Sequence, residues 1–221
     1  MTQSEAKESG TRAFPPARAV WQALTRPYRV TASMVALVCL VPAYLAIAVR
    51  ASEGAVYAPA LGLDRMIPLQ PAWSLVYGAL YLFLIIVPIV VIQQEALIRR
   101  TVRAYLAVWT LGYACFLTLP TVAPRPDEVV GSGFAAWGLR FLYDSDPPYN
   151  CFPSLHVAHT FVSALACHRV HRGLGGFALG CAGLVAASTL FIKQHYVVDA
   201  VAGILMALAA SAFFFVAYAI G

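Results

Sequence analysis

The stretch VAGILMALAASAFFFVAYAI, residues 201–220, contains no charged side chain. A helix needs roughly 20 apolar residues to cross the hydrocarbon core of a bilayer, so this stretch predicts a transmembrane helix. In the whole chain of 221 residues, 61% are hydrophobic and 11% are charged. Soluble domains carry roughly a quarter charged residues. The sequence therefore predicts an integral membrane protein.

Six apolar runs can be marked as membrane spans. They lie at about 30–49, 71–92, 101–119, 153–168, 174–192 and 197–219. A membrane β-strand would alternate apolar and polar residues over about ten positions, whereas these runs are continuous. We therefore expect an all-α bundle of six transmembrane helices over residues 30–221, preceded by an N-terminal tail at 1–29. No cleavable signal is evident, and we interpret the first run as a retained anchor.

The basic residues predict the orientation of this bundle. Ten of the 15 precede the first span or flank the turns after the second and fourth spans, namely Lys7, Arg12, Arg18, Arg26, Arg29, Arg99, Arg100, Arg103, Arg169 and Arg172. The positive-inside rule makes their side cytoplasmic, with both termini inside. We thus attribute the net charge of +5 to topology in a cell (inner) membrane rather than to nucleic-acid binding.

The longest loop, residues 120–152, is expected on the extracytoplasmic side. Its residues Phe134, Trp137 and Phe141 recur at helical spacing and predict a short helix lying in the membrane interface. The segment 134–143 could be a lid beside a site or part of an aromatic belt, and both interpretations stay open.

Two extracytoplasmic loops also carry arginines. Arg125 stands between two prolines, and its fork of donors suits phosphate oxygens or, alternatively, lipid headgroups. In the loop at 50–70, Asp64 and Arg65 are adjacent in an Ala, Pro and Leu setting. We expect them to form an exposed ion pair, which is a weak interaction.

The stretch NCFPSLHVAHT, residues 150–160, begins the fourth span. Pro153 suits the first position of a helix. The amides of Ser154, Leu155 and His156 would then be free donors at the positive end of that helix. Such a helix start is an anion-binding site.

Three further polar residues extend this pattern. His159 follows His156 on one helix face, and polar groups within a membrane are usually functional. In KQHYVVD, residues 193–199, His195 and Asp199 are four apart and would stack on one face of a helix. A carboxylate on one ring nitrogen fixes the tautomer and leaves the other nitrogen as a nucleophile or base.

Together these motifs resemble the three-part signature of the phosphatidic acid phosphatase type 2 superfamily of membrane phosphoesterases. The matching pieces are APRP at 123–126, CFPSLH at 151–156, and Ser188 and His195 seven residues apart with Asp199 after them. The resemblance implies that His195 is the phosphate nucleophile and that Asp199 orients it. It also implies that His156, the histidine of CFPSLH, is the general acid and base.

The resemblance further implies a phosphate-binding set, with Arg125, Lys193, Ser154 and the helix amides, including that of Leu155, around the phosphoryl oxygens. Phosphoryl transfer depends mainly on such positioning and charge stabilisation. His159 is expected to be secondary, as is Ser188. No metal and no cofactor is implied.

The sequence departs from the usual family pattern at three positions. Thr118 stands where a lysine is usual, Leu155 replaces the glycine of PSGH, and Thr189 replaces an arginine. We expect Lys193 to supply the missing charge. The PSLH and HYVVD forms are also similar to the branch of inositol phosphorylceramide synthases.

These observations predict an extracytoplasmic, metal-independent phosphatase that acts through a phosphohistidine on a phospholipid or polyprenyl (di)phosphate. The alternative is a phosphotransferase that uses an alcohol acceptor such as inositol or a ceramide-type lipid. A metal site built from His156, His159, His195 and Asp199 has compatible spacing. A non-enzymatic transporter or scaffold is the fourth reading. The substrate, its partners beyond membrane lipids, and the oligomeric state are left open.

Overall fold

A computed structural model describes residues 16–26, 35 and 37–216, and within them the chain is helical. The helices are α1 (Pro16–Leu24), α2 (Val41–Ser52), α3 (Gly62–Met66), α4 (Trp73–Val91), α5 (Glu95–Thr118), α6 (Phe134–Ser145), α7 (Leu155–Val170), α8 (Arg172–Phe191) and α9 (Val197–Val216). The only β-pairing among the described residues is two isolated bridges. The all-α prediction is thus confirmed for this part of the chain.

Three helices are long and apolar enough to cross a membrane, namely α4, α8 and the segment Val197–Phe215 of α9. These helices support the expectation of a membrane protein. The other three spans stay predictions. Part of the first predicted span, at 30–34 and 36, lies outside the described residues, and α2 covers residues 41–49 of it.

Helix α5 begins six residues before the apolar run at 101–119 that predicts it. Its first turns combine the exposed, charged Glu95 and Arg99 with the buried Leu97 and Ile98. Glu95 accepts from Arg99 at 2.9 Å, a pairing of residues one turn apart that stabilises a helix. Hydropathy therefore locates the apolar part of this helix and misses its charged beginning.

Helix α7 packs against α4, α5, α8 and α9. Small residues permit this close approach: a Cβ on Gly175 of α8 would lie 2.2 Å from His168 Cα. A hydrogen bond of 2.8 Å joins the hydroxyls of Tyr105 on α5 and Ser163 on α7. The helix that begins beside His156 is therefore enclosed by its neighbours.

The two ends of the bundle differ in chemistry. His156 lies in the first turn of α7, whereas His168 and Arg169 lie in its last turn. At that basic end, Arg100 of α5 donates to the Phe214 carbonyl of α9 at 3.2 Å. The cluster of basic residues and the predicted histidine site are thus at opposite ends.

The long loop contains the short helix that its aromatic spacing predicts. In α6, the rings of Phe134, Trp137 and Phe141 stack in sequence, with centroids 5.3 and 5.6 Å apart. All three side chains are exposed, as expected for a helix in the membrane interface. The lid and the aromatic belt both stay open as interpretations of this helix.

Asp64 corrects one expectation. Its residue surface is only 8% exposed, while Arg65 is exposed. Adjacent helical residues do not face each other, so Asp64 turns inward without its neighbour. The prediction of an exposed ion pair is wrong.

Candidate active site

The turn between α8 and α9, residues 192–196, presents His195. The carbonyl of Thr189 accepts from the amides of Gln194 and His195 at 2.9 and 3.2 Å. These bonds close the end of α8 and turn the chain back toward α9. His195 is 5% exposed, so its ring is held inside the protein.

The ring of His195 meets the carboxylate of Asp199. His195 Nδ1 and Asp199 Oδ2 are 3.5 Å apart, and Asp199 is fully buried. This separation exceeds an ordinary hydrogen bond, and catalytic hydrogen bonds are often long before substrate binds. The arrangement leaves His195 Nε2 on the far side of the ring.

The two residues meet by a different route from the one predicted. Helix α9 begins at Val197, so His195 lies outside it and helical stacking does not apply. Instead, Asp199 Oδ2 accepts from the Tyr196 amide at 2.9 Å and turns back over the helix start. The carboxylate therefore caps the helix and faces the histidine at the same time.

His156 completes a row of three side chains. Its Nδ1 lies 3.4 Å from His195 Nε2, although the two residues are 39 positions apart. The Ser154 amide donates to the Asp199 carbonyl at 3.0 Å and joins the start of α7 to the start of α9. The order Asp199, His195, His156 thus follows from two adjoining helix starts.

A glycine permits this junction. A Cβ on Gly203 of α9 would lie 2.5 Å from the Ser154 carbonyl oxygen. That contact is with backbone and cannot be relieved by a side-chain rotation. Gly203 therefore lets α9 approach the beginning of α7.

The start of α7 differs from the prediction by two residues. The helix begins at Leu155 rather than at Pro153, and the hydroxyl of Ser154 accepts from the Val157 amide at 3.3 Å. Because the Ser154 amide bonds to Asp199, it is not a free donor as predicted. Helix geometry leaves the amides of Leu155 and His156 without partners inside the helix.

Arg125 lies beside the turn that carries His195. Its guanidinium donates to the carbonyls of Tyr143 and Asp146 at 3.2 and 2.8 Å and to the Gln194 side-chain oxygen. It also stacks over the Tyr143 ring, 4.5 Å from the centroid. Within the described part of the chain, its buried Nε has no hydrogen-bond partner.

Tyr143 binds the same turn. Its hydroxyl donates to the Ile192 carbonyl at 2.5 Å. Burial raises the pKa of Tyr143 to about 12, while Arg125 lowers it. The hydroxyl consequently keeps its proton at neutral pH and remains a donor.

Comparison with protein families identifies the fold that carries this row of residues. Residues 47–213, more than half of the chain, match the PAP2 superfamily.

The chain belongs to the PAP2 superfamily.

The match includes every predicted site residue, from Arg125 to Asp199. Membership indicates a phosphatase or a related lipid phosphoesterase. No curated protein and no solved structure matches the chain significantly. The similarity to inositol phosphorylceramide synthases stays a prediction.

Lys193 has different neighbours from those expected of a PAP2 phosphate ligand. Its ammonium donates to the carbonyls of Asp64 and Ile67 at 3.0 and 2.5 Å. These two bonds direct the side chain to the loop around α3. Its contacts give no support to the predicted role in phosphate binding.

Ser188 and His159, two other predicted site residues, contact neighbouring protein groups. The Ser188 hydroxyl donates to the Val185 carbonyl of its own helix at 2.6 Å and is fully buried. The His159 ring stacks on Tyr105 with a centroid distance of 4.3 Å. The secondary rank of both residues stays a prediction.

The proposed metal alternative can be compared with this geometry. Among the described residues, no three His, Cys, Asp or Glu side chains converge as ligands of one ion would. His159 stacks on Tyr105, whereas His156 contacts His195. The four candidate ligands therefore do not form one coordination sphere.

Sequence reasoning missed two residues around the PAP2 site. Gln194, which immediately precedes His195, accepts from Arg125. Asp64 accepts from the amides of Leu61 and Val197 at 2.7 and 2.8 Å. The bond to Leu61 is a capping arrangement, so an acidic residue in the first turn of α3 was the available signal.

Proposed function

We propose that this PAP2 protein is a metal-independent lipid phosphate phosphatase that works through a phosphohistidine on His195. The observation that carries the proposal is the row of side chains described above. One nitrogen of His195 faces the Asp199 carboxylate at 3.5 Å, and the other faces His156 at 3.4 Å. A nucleophile held between an orienting carboxylate and an acid/base group is the arrangement that covalent phosphoryl transfer requires.

In the first step, His195 Nε2 attacks phosphorus. The Asp199 carboxylate accepts from Nδ1–H of the ring, which leaves the Nε2 lone pair free. As the new P–N bond forms, the bond from phosphorus to the lipid oxygen breaks. His156 gives its proton to that oxygen, and the lipid alcohol leaves.

In the second step, neutral His156 takes a proton from water, and the hydroxide attacks the phosphohistidine. The P–N bond breaks, inorganic phosphate leaves, and both histidines return to their starting states. The substrate phosphoryl group must lie between His156 Nδ1 and His195 Nε2, which are 3.4 Å apart here, so binding has to separate the two rings.

Arg125 and the first amides of α7 would stabilise the transferring group. The free donors are the Nε of Arg125 and the amides of Leu155 and His156. Donors fixed toward developing negative charge lower the barrier, because they need no reorganisation during reaction. Ser154 would contribute by capping the helix that holds these amides.

An apolar cavity favours a lipid substrate. It has a volume of about 320 Å³ and lies between α4, α5 and the residues around α2. Its wall includes Tyr81 and His159, and the Tyr81 ring centroid is 5.2 Å from that of His156. The cavity therefore offers space for a hydrocarbon chain beside the Tyr81 ring that contacts His156.

We also propose that the site faces away from the cytoplasm and that both termini are cytoplasmic. The support is the separation between the histidine end and the basic end of the bundle. Basic residues concentrate in cytoplasmic loops. Labelling of single engineered cysteines at Ser132 and Arg172 with an impermeant thiol reagent, in a cysteine-free background, tests this: only the cysteine at 132 should react in intact cells.

Phosphate release by the purified protein in excess chelator tests the function. The substrates are phosphatidic acid, lysophosphatidic acid, a polyprenyl diphosphate, and a phospholipid with an added alcohol. His195→Ala is the blank, and Asp127→Asn, which changes an exposed carboxylate, is the matched control.

Release from one lipid without an acceptor supports the proposal and identifies the substrate. Transfer that depends on the alcohol would replace hydrolysis by the phosphotransferase alternative. Activity that survives in His195→Ala would overturn both.

A further inference from the structure

The loop at 61–67 holds the turn that carries His195 through a buried carboxylate. Asp64 Oδ1 accepts from the Val197 amide at 2.8 Å, and its Oδ2 accepts from the Leu61 amide at 2.7 Å. The first bond joins residues 133 positions apart. One carboxylate thus shapes its own loop and binds the first residue of α9.

The same loop holds the turn on the other side of His195. Lys193 donates to the carbonyls of Asp64 and Ile67 at 3.0 and 2.5 Å. Lys193 and Val197 each lie two residues from His195. The loop therefore fixes the chain before and after the histidine.

The backbone of the turn needs such support. Lys193 has a φ of 55°, in the left-handed region that residues with a side chain seldom occupy. Conformations of this kind persist where surrounding contacts over-determine them. The two bonds from the Lys193 ammonium supply contacts at that residue.

We propose that Asp64 and Lys193 are positioning residues, which set the location of His195 Nε2 relative to His156 through the 61–67 loop. The proposal rests on the proposed function, because it assigns His195 as the nucleophile. It replaces the phosphate-binding role that the sequence suggested for Lys193. A displacement of about 1 Å at a reacting group can cost about 100-fold in rate.

Asp64→Asn removes one of two acceptor oxygens and leaves the shape almost unchanged. Either Val197 or Leu61 then loses its partner and faces an amide NH₂ group. We expect kcat to fall about 10- to 100-fold while KM changes less than about 3-fold. The exposed Asp127→Asn should leave both parameters unchanged.

Lys193→Met tests the other side of the turn, and it stays informative if Asp64→Asn fails to fold. We expect kcat to fall as in Asp64→Asn, with inhibition by inorganic phosphate within about 3-fold of wild type. Lys193→Arg, which keeps the charge and the donors, should recover part of the lost kcat. A direct phosphate ligand would instead weaken phosphate inhibition in the methionine variant.

Hydrogen exchange of the 192–199 segment separates this proposal from the proposed function. Local opening governs amide exchange, so Asp64→Asn should speed exchange in 192–199 and leave 176–186 of α8 unchanged. If the wild-type protein is inactive on every lipid phosphate but Asp64→Asn still speeds exchange in 192–199, the positioning role is supported and the phosphatase assignment is overturned.

Unchanged exchange, an unchanged kcat in an active protein, or a loss confined to KM would overturn positioning. The double variant supplies one more test. Because both residues act on one turn, their losses should combine to less than the product of the single losses. Fully multiplicative losses would contradict a shared mechanism.

Discussion

Replacement of Asp199 by asparagine removes the charge that faces the nucleophile while preserving side-chain size. Asp199 is fully buried, and its Oδ2 serves both the Tyr196 amide at 2.9 Å and His195 Nδ1 at 3.5 Å. Asparagine has one acceptor oxygen for these two donors. If that oxygen takes the place of Oδ2, it faces both groups and only the charge is lost; in the flipped orientation the amide NH₂ faces the ring and favours the tautomer with its proton on Nε2.

The size of the effect follows from the lost interaction. A hydrogen bond to a charged group contributes about 1.5–3 kcal/mol, and each 1.36 kcal/mol changes a rate about tenfold. We therefore expect kcat to fall at least about 10-fold through the lost charge alone. An unfavourable tautomer can increase the loss to about 10⁴-fold.

Phosphate release from the best lipid substrate measures this loss, with kcat and KM determined separately. Asp127→Asn is the matched control, since it removes the same charge at an exposed site. Thermal unfolding in the same detergent verifies that the asparagine variant is folded. A folded Asp199→Asn protein with near-normal kcat would refute the orienting role of the carboxylate.

Three further predictions concern the histidines, the packing and metal dependence. His156→Ala should lower kcat more than about 100-fold, whereas His159→Ala should lower it less than about 10-fold; equal losses would contradict the secondary rank of His159. Gly203→Ala should destabilise the fold by about 1–3 kcal/mol and reduce activity, because its Cβ would meet the Ser154 carbonyl at 2.5 Å. Gly183→Ala, whose Cβ has no neighbour within 4 Å, is the control, and equal Tm changes would count against this packing argument. Excess chelator should change kcat by less than about 2-fold, and abolition of activity would favour metal chemistry.

Apolar runs were sufficient to locate most helices and to predict the class of fold. Their ends were less predictable, because polar contacts set them. The first turns of α5 contain the exposed charged pair of Glu95 and Arg99, which lies outside the apolar run. The start of α7 depends on the Ser154 hydroxyl rather than on Pro153.

The site could be predicted in part because short motifs in the sequence contain its histidines and its aspartate. His156 and His195 lie together as the resemblance implied, with Asp199 behind them. Contacts between distant loops were not predictable from local spacing. Asp64 meets Val197 and Lys193 only through the tertiary fold, so its burial and the direction of the lysine side chain required the structure.

Trapping the covalent intermediate tests the central claim most directly. Purified protein would be mixed with lipid phosphate carrying a labelled phosphoryl group, quenched in alkali within milliseconds, and mapped by mass spectrometry. The account predicts one alkali-stable, acid-labile phosphoryl group on His195, absent from His195→Ala and retained in Asp127→Asn. Rapid phosphate release without a label on His195, or with the label on another residue, would contradict it.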